Sequence, residues 1–84
     1  MTNRAAEQTV GRSEAELVDR VLAIVREVLS RPDLGPDDEV MDFGGTSLSI
    51  LRILAETKRV LDLNVNPRDL NGAVTAHNLV RAAR

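Results

Sequence analysis

A long connection rich in proline and glycine, lying between two helix-like stretches, constrains this chain most strongly. The connection, residues 30–46, is interrupted by Pro32, Gly35, Pro36, Gly44 and Gly45, and residues of these two types exclude a continuous helix. Connections this long are uncommon in compact domains and are usually functional or disordered. Four apolar residues spaced along it favour an ordered segment anchored in a core: Leu34, Val40, Met41 and Phe43. The connection is therefore predicted to be functional.

The segment before the connection predicts an amphipathic helix from about Glu14 to Leu29. Ser13 and Glu16 have the spacing of a capping box, in which side chains satisfy the free backbone N–H groups of a helix start. Apolar residues then recur at helical spacing. The predicted inward stripe is Leu17, Val21, Ile24, Val25 and Val28, widened by Val18, Leu22 and Leu29.

A second helix is predicted after the connection, from about Ser47 to Leu61. Thr46 or Ser47 can serve as its N-cap, because both residue types are common there. Its predicted inward stripe is Leu48, Leu51, Leu54 and Ala55, extended by Ile50 and Leu61. This stripe leaves Ile53 and Val60 to face a partner or a neighbouring helix.

The remaining chain predicts a short third helix and a longer last one. Leu63 and Val65 are predicted to point inward, and Asn66-Pro67 then starts a single turn through Leu70. Thr75 is predicted to cap the last helix, with Leu79 and Val80 inward. The predicted fold class is all-α, a four-helix bundle with long helices one, two and four. Because Phe43 is the only aromatic residue, the core must be aliphatic.

Composition excludes several function classes. The chain has no cysteine, which excludes disulfides and thiolate metal sites. Lys and Arg total 11 against 13 for Asp and Glu, a net charge of −2 that is unfavourable for nucleic-acid binding. No segment approaches the ~20 apolar residues of a membrane span. We expect a mobile leader at residues 1–12 and one domain at 13–84, forming a cytoplasmic monomer that binds neither nucleic acid nor membrane.

The candidate site is the stretch Phe43 to Leu48, FGGTSL. Gly44 and Gly45 allow positive φ angles and leave space for another protein's surface. Ser47, in the first turn of a helix, lies where free N–H groups and the helix dipole favour a phosphodiester on its oxygen. The alternative is a small protein-interaction module in which Ser47 only caps the helix.

The run from Val40 to Leu48 resembles the phosphopantetheine-carrying module of acyl and peptidyl carrier proteins. That family typically has an aromatic pair followed by Asp, Leu, Gly, Gly, Asp or His, Ser and Leu, where this chain has VMDFGGTSL. The likeness continues through the helix to Leu61, the Arg68-Asp69-Leu70 turn and Thr75 four residues before Leu79. It covers nearly all of the chain from Pro36 onward, and the upstream helix fits it too.

The resemblance implies that a phosphopantetheinyl transferase attaches 4′-phosphopantetheine from coenzyme A covalently to Ser47. The thiol of this arm would then carry an aminoacyl or acyl group between an adenylation or acyl-loading enzyme and a condensation, ketosynthase or tailoring enzyme. Such a carrier of nonribosomal peptide or polyketide-type secondary metabolism is not itself an enzyme. The residues expected to contact partners are Phe43, Gly44, Gly45, Thr46, Leu48 and Arg52.

Two departures from the family pattern favour the peptidyl branch. Thr46 stands where fatty-acid carriers usually have Asp, and the second helix carries Arg52, Lys58 and Arg59 rather than an acidic stripe. Val40 and Met41 replace the aromatic pair, Phe43 takes the position of Leu, and Asn71 replaces an aromatic or apolar residue. Because the chain begins with Met1 and stops after the last helix, a free-standing carrier is expected.

The sequence disfavours several other kinds of functional site. A hydrolase elbow would need glycine in place of Ser49, and no lysine follows the glycines as a P-loop requires. The carboxylates Asp37, Asp38, Glu39 and Asp42 lack EF-hand spacing and are expected to form a solvated loop face or to contact a transferase. The single histidine, His77, is expected to be solvated rather than catalytic. A helix-turn-helix DNA binder is disfavoured by the charge.

Overall fold

The structure, a computed structural model, describes residues 13–70 and 72–83. The predicted leader at residues 1–12 lies outside this range, as does Asn71. The described part consists of α1 (Glu14–Leu29), α2 (Ser47–Leu61) and α3 (Ala76–Ala82), with short 3-10 helices at Val40–Phe43 and Pro67–Asp69. These residues contain no strand, so the all-α prediction is confirmed.

Helix α1 has the predicted bounds, and of the predicted capping box the half supplied by Ser13 is present. The hydroxyl of Ser13 accepts a hydrogen bond from the backbone N–H of Glu16 at 3.1 Å. The helix ends at Leu29, and its C-cap is Ser30, whose φ of 56° is left-handed and whose N–H donates to carbonyls of the last turn. Its buried residues are Val18, Val21, Leu22 and Val25, so Val18 and Leu22 belong to the buried face rather than only widening it.

The core face of α2 differs from the predicted stripe. Its fully buried residues are Ile53 and Thr57, flanked by the partly buried Ile50, Leu54 and Leu61. The prediction was wrong for Leu48, Leu51 and Ala55, which are exposed, and for Ile53, which had been left for a partner. Apolar residues surround the first two turns of α2, so helical periodicity fits two faces. The buried face also contains Thr57, whose hydroxyl donates to the Leu54 carbonyl at 2.9 Å and so needs no partner on another element. Counting hydrophobic residues overlooks such a position.

The two C-terminal elements form as predicted, but the last is shorter. Asn66 caps the 3-10 helix that Pro67 opens. Thr75 caps α3, its hydroxyl accepting from Asn78 N–H at 3.1 Å, and Leu79 is fully buried behind it. Helix α3 ends after Ala82 because Ala83 adopts an extended conformation, so the expectation of a long last helix was wrong.

The connection between α1 and α2 is anchored in the core, as predicted, by Leu34 and Val40, which are completely buried. Phe43 packs against the same core while half-buried. Met41 was predicted to be inward but is exposed, because Val40 occupies the inward position of this short 3-10 helix. The connection therefore reaches the start of α2 in a fixed position.

Hydrogen bonds fasten the connection to the segment that enters α3. The carboxylate of Glu39 accepts from Val74 N–H at 2.8 Å and from Met41 N–H at 3.1 Å. Val40 N–H donates to the Val74 carbonyl at 2.9 Å. The expectation of a solvated carboxylate face was thus wrong for Glu39, which holds two distant parts of the chain together.

A second attachment joins the same segments through His77. Its backbone N–H donates to the Pro36 carbonyl at 3.2 Å, and its Nδ1 lies 2.6 Å from Asp37 Oδ1. Asp38 in turn accepts from Gly35 N–H at 2.7 Å. His77 is therefore not simply solvated, and three of the four loop carboxylates have structural roles.

Replacing Glu39 by alanine is expected to lower the free energy of unfolding by about 2 kcal/mol, because a part-buried backbone N–H loses its acceptor. Urea denaturation of the wild type and variant measures the difference. Asp42→Ala is the matched control, since the Asp42 side chain is exposed and unpaired within the described residues. Equal effects of the two substitutions would contradict the assigned role of Glu39.

Candidate functional site

At the start of α2 the helix cap and the neighbouring serine are two different residues. Thr46 is the N-cap: its backbone is extended, and its hydroxyl accepts from Ser49 N–H at 3.3 Å. Ser47 is the first residue of the helix and is exposed. Within the described part of the chain its hydroxyl makes no hydrogen bond. Ser47 is therefore not the cap, and its oxygen is free to react.

The electrostatics of this helix start suit an attached anion. The first N–H groups of a helix lack intrahelical acceptors and carry the positive end of the dipole. The first turn of α2 contains no acidic residue, whereas that of α1 contains Glu14 and Glu16. No carboxylate in that turn therefore offsets the dipole beside Ser47, and a phosphodiester on its oxygen fits there.

The two glycines before the site have different structural roles. Gly44 has φ 88°, a left-handed conformation that favours glycine, as the sequence predicted. Gly45 lies so close to Val40 that an added Cβ would overlap Val40 Cγ1 and lie 2.7 Å from the Val40 carbonyl oxygen. The expectation of a positive φ was wrong for Gly45. Its missing side chain instead permits a close internal contact with Val40, which no local pattern in the sequence indicated.

Phe43 supports the loop from inside and is covered from outside by an arginine. The guanidinium carbon of Arg31 lies 4.7 Å from the centroid of the Phe43 ring, within the range of a cation–π contact. Arg31 also donates two hydrogen bonds to Asp33, at 3.0 and 2.8 Å. These bonds lower the pKa of the Asp33 carboxyl and raise the pKa of Arg31. No sequence spacing pointed to Arg31.

The structure places only part of the predicted contact set on the surface. Thr46, Leu48 and Arg52 are exposed around Ser47, and Gly44 is exposed at the loop end. Phe43 and Gly45 are half-buried. Arg31 lies over the ring of Phe43, and Val40 lies against Gly45. The surface beside Ser47 is therefore formed by the first turns of α2 more than by the glycine loop.

Two other kinds of site were sought in the described residues. They contain no cluster of histidine and acidic side chains arranged to hold a metal ion. None of the described helices has both the length and the apolarity that crossing a membrane requires.

Comparison with known protein families gives a match over most of the chain. The family model described as a phosphopantetheine attachment site matches residues 19–83, which include most of α1, the connection, α2 and α3. No curated protein and no solved structure matches the chain.

Proposed function

Because the chain belongs to the phosphopantetheine attachment family, the family of acyl and peptidyl carrier proteins, we propose that Ser47 is the residue that bears the arm. Domains of this family are the attachment site of covalently bound 4′-phosphopantetheine. The observation that carries the proposal is the free, exposed hydroxyl of Ser47 at the start of α2, beside a cap supplied by Thr46.

Ser47 acts as the acceptor of the phosphopantetheine group in the attachment reaction. The Ser47 oxygen forms a bond to phosphorus, its proton passes to a base of the transferase, and the nucleotide part of coenzyme A leaves. The N–H groups at the start of α2 favour the resulting phosphodiester. When bound, the arm supplies a terminal thiol that holds an aminoacyl or acyl group as a thioester. The protein itself presents this thiol and is not a catalyst.

The charges of α2 support a carrier of the peptidyl type, in nonribosomal peptide or polyketide-type biosynthesis. The first turn of this helix has no acidic residue, and Arg52 lies on its exposed side. A partner that recognises an acidic stripe would find none there. The proposed partners are a phosphopantetheinyl transferase, an adenylation or acyl-loading enzyme, and a condensation, ketosynthase or tailoring enzyme downstream.

Intact-mass measurement tests the attachment directly. The purified protein is incubated with coenzyme A and a broad-specificity phosphopantetheinyl transferase, and the modified peptide is then mapped. We expect one phosphopantetheine per chain, on the peptide containing Ser47. A chain that gains no adduct with an active transferase would instead be a small helical interaction module, and the proposal would be wrong.

A further inference from the structure

Lysine occurs once in this chain, on the helix that begins at the attachment serine. Of the 11 basic residues only Lys58 is a lysine, and the others are arginines. The distinction is chemical, because a lysine amine becomes a nucleophile when it loses its proton, whereas an arginine stays charged in proteins. The Lys58 side chain is 54% exposed. Among side chains, the chain therefore offers one amine, and that amine is open to solvent.

Helical geometry places Lys58 on the same side of α2 as Ser47. The two residues are 58 − 47 = 11 positions apart in one continuous α-helix, which corresponds to about three turns. They therefore differ by only about 20° around the helix axis and by roughly 17 Å along it. Both residues are exposed. A group that is attached to Ser47 and extends along the helix thus approaches Lys58.

The surface between these two positions is apolar. Leu51 is 56% exposed, Ala55 is exposed one turn further on, and Leu54 beside them is partly buried. The charged residues of the intervening turns, Arg52 and Glu56, lie roughly 120° or more further around the helix. No charged side chain of α2 therefore stands between the serine and the lysine along this side of the helix.

The arm is long enough to span the distance. Phosphopantetheine is a linear chain of about 14 bonds from the serine oxygen to its sulfur, and an extended chain gains about 3.3–3.6 Å for every three bonds, which gives a reach of roughly 16 Å. The flexible side chain of Lys58 extends this reach further. Lys58 pairs with Asp62 at 3.0 Å, but exposed pairs of this kind are weak, so its amine is readily released.

We propose, building on the carrier function proposed above, that Nζ of Lys58 accepts the acyl group carried on the arm of its own chain. The lone pair of the neutral amine attacks the thioester carbonyl, a carbon–nitrogen bond forms, and the carbon–sulfur bond breaks. The proton lost by the amine passes through solvent to the sulfur, so no further reactant is consumed. The products are a free thiol and an N-acyl-lysine. Acylation also removes the positive charge that pairs with Asp62.

A chain loaded with one acetyl group tests this transfer. Acetyl-coenzyme A and a broad-specificity transferase attach the acetylated arm to Ser47, and excess reagent is removed by gel filtration. The protein is then kept at pH 9, where more lysine amine is neutral than at pH 7. Hydroxylamine cleaves thioesters and leaves amides intact, so intact mass and peptide mapping after this treatment detect only transferred acetyl groups. We expect them on Lys58.

The kinetics distinguish transfer within one chain from transfer between chains. Groups joined by a short flexible tether meet at millimolar effective concentration, so transfer is expected to be about a hundredfold faster than between separate chains at about 10 µM. Its rate constant is expected to stay the same when the protein is diluted. Ser47→Ala, treated identically, carries no arm and reports acetylation of Lys58 from solution, which is expected to be negligible.

Lys58→Arg is the matched variant, because it keeps the positive charge beside Asp62 and removes the nucleophile. It is expected to retain the thioester and to gain no hydroxylamine-resistant acetyl group. Combining Lys58→Arg with Arg59→Lys moves the amine about 100° around α2. The arm must then pass partly around the helix, and the rate constant is expected to fall about tenfold. Thermal unfolding verifies that each variant is folded.

The outcomes separate this inference from the carrier function. If an active transferase attaches no arm to the wild-type chain, the carrier function itself is wrong. If the arm is attached, three results would overturn only the acylation of Lys58. These are no resistant acetyl group on Lys58, an equal amount of it in Ser47→Ala, and a rate constant that falls on dilution. A moved lysine that reacts as fast as the original would overturn the assignment from helical register.

Discussion

Ser47→Ala is expected to abolish phosphopantetheine attachment while leaving the fold unchanged. The substitution removes the only atom of the side chain that can bond to phosphorus. It removes no hydrogen bond within the described structure, because Thr46 supplies the cap. Surface changes of this kind usually alter the free energy of unfolding by about 0.5 kcal/mol or less. Intact mass after incubation with coenzyme A and transferase, together with thermal unfolding, measures both effects.

Ser49→Ala is the matched control for this experiment. It makes the same chemical change in the same helical turn, but the Ser49 hydroxyl lies 3.3 Å from the hydroxyl of Thr46 rather than being free. Attachment to Ser49→Ala is expected to be complete. An adduct that persists in Ser47→Ala, or one that is lost in Ser49→Ala, would place the attachment at another hydroxyl.

Gly45→Ala is expected to lower the free energy of unfolding by about 3 kcal/mol, as overpacking does where neighbouring atoms cannot move. The added methyl group would lie 2.7 Å from the Val40 carbonyl oxygen and overlap the Val40 side chain. Val40 is completely buried, and its N–H donates to the Val74 carbonyl. Relief of the clash therefore requires the connection to detach from the segment before α3. Urea denaturation measures the loss.

Gly44→Ala provides the comparison, because Gly44 is constrained by its backbone conformation and not by a lack of space. No atom lies within 4 Å of an added Cβ, but its φ of 88° is left-handed. The cost is expected to be roughly 1–2 kcal/mol, the penalty of this conformation for a non-glycine residue. If Gly44→Ala were the more damaging substitution, the close contact of Gly45 with Val40 would not be the determinant of the loop.

Local signals in the sequence predicted the helices well. The cap at Ser13, the end of α1, Pro67 at the start of a short turn and the cap at Thr75 all depend on residues within a few positions of one another. The buried face of α2 was mispredicted because the choice between its two apolar sides depends on how α1 packs against it. Thr57 is buried there with its hydroxyl bonded to a carbonyl of the same helix, and a threonine at this position does not mark a buried face in the sequence.

The candidate site was predictable in outline only. The spacing around Ser47 predicted that its hydroxyl lies at the start of a helix, and Ser47 is the first residue of α2. The contacts that hold the connection in place could not be predicted from the sequence. Glu39 meets Val74 from 35 positions away, and Arg31 reaches the ring of Phe43 from the other end of the connection. Such contacts depend on tertiary folding and leave no periodic pattern.

Because Thr46 caps α2 and Ser47 does not, the structure indicates whether modification of Ser47 would stabilise or destabilise the fold. A modification shifts a conformational equilibrium only through interactions that differ between the two states. A phosphodiester on Ser47 would remove no native hydrogen bond, since Thr46 retains the cap, and it would gain roughly 0.3–1 kcal/mol from the helix dipole in the folded state alone. Attachment to Ser47 would therefore favour folding, and we expect the unmodified chain to be the less stable form.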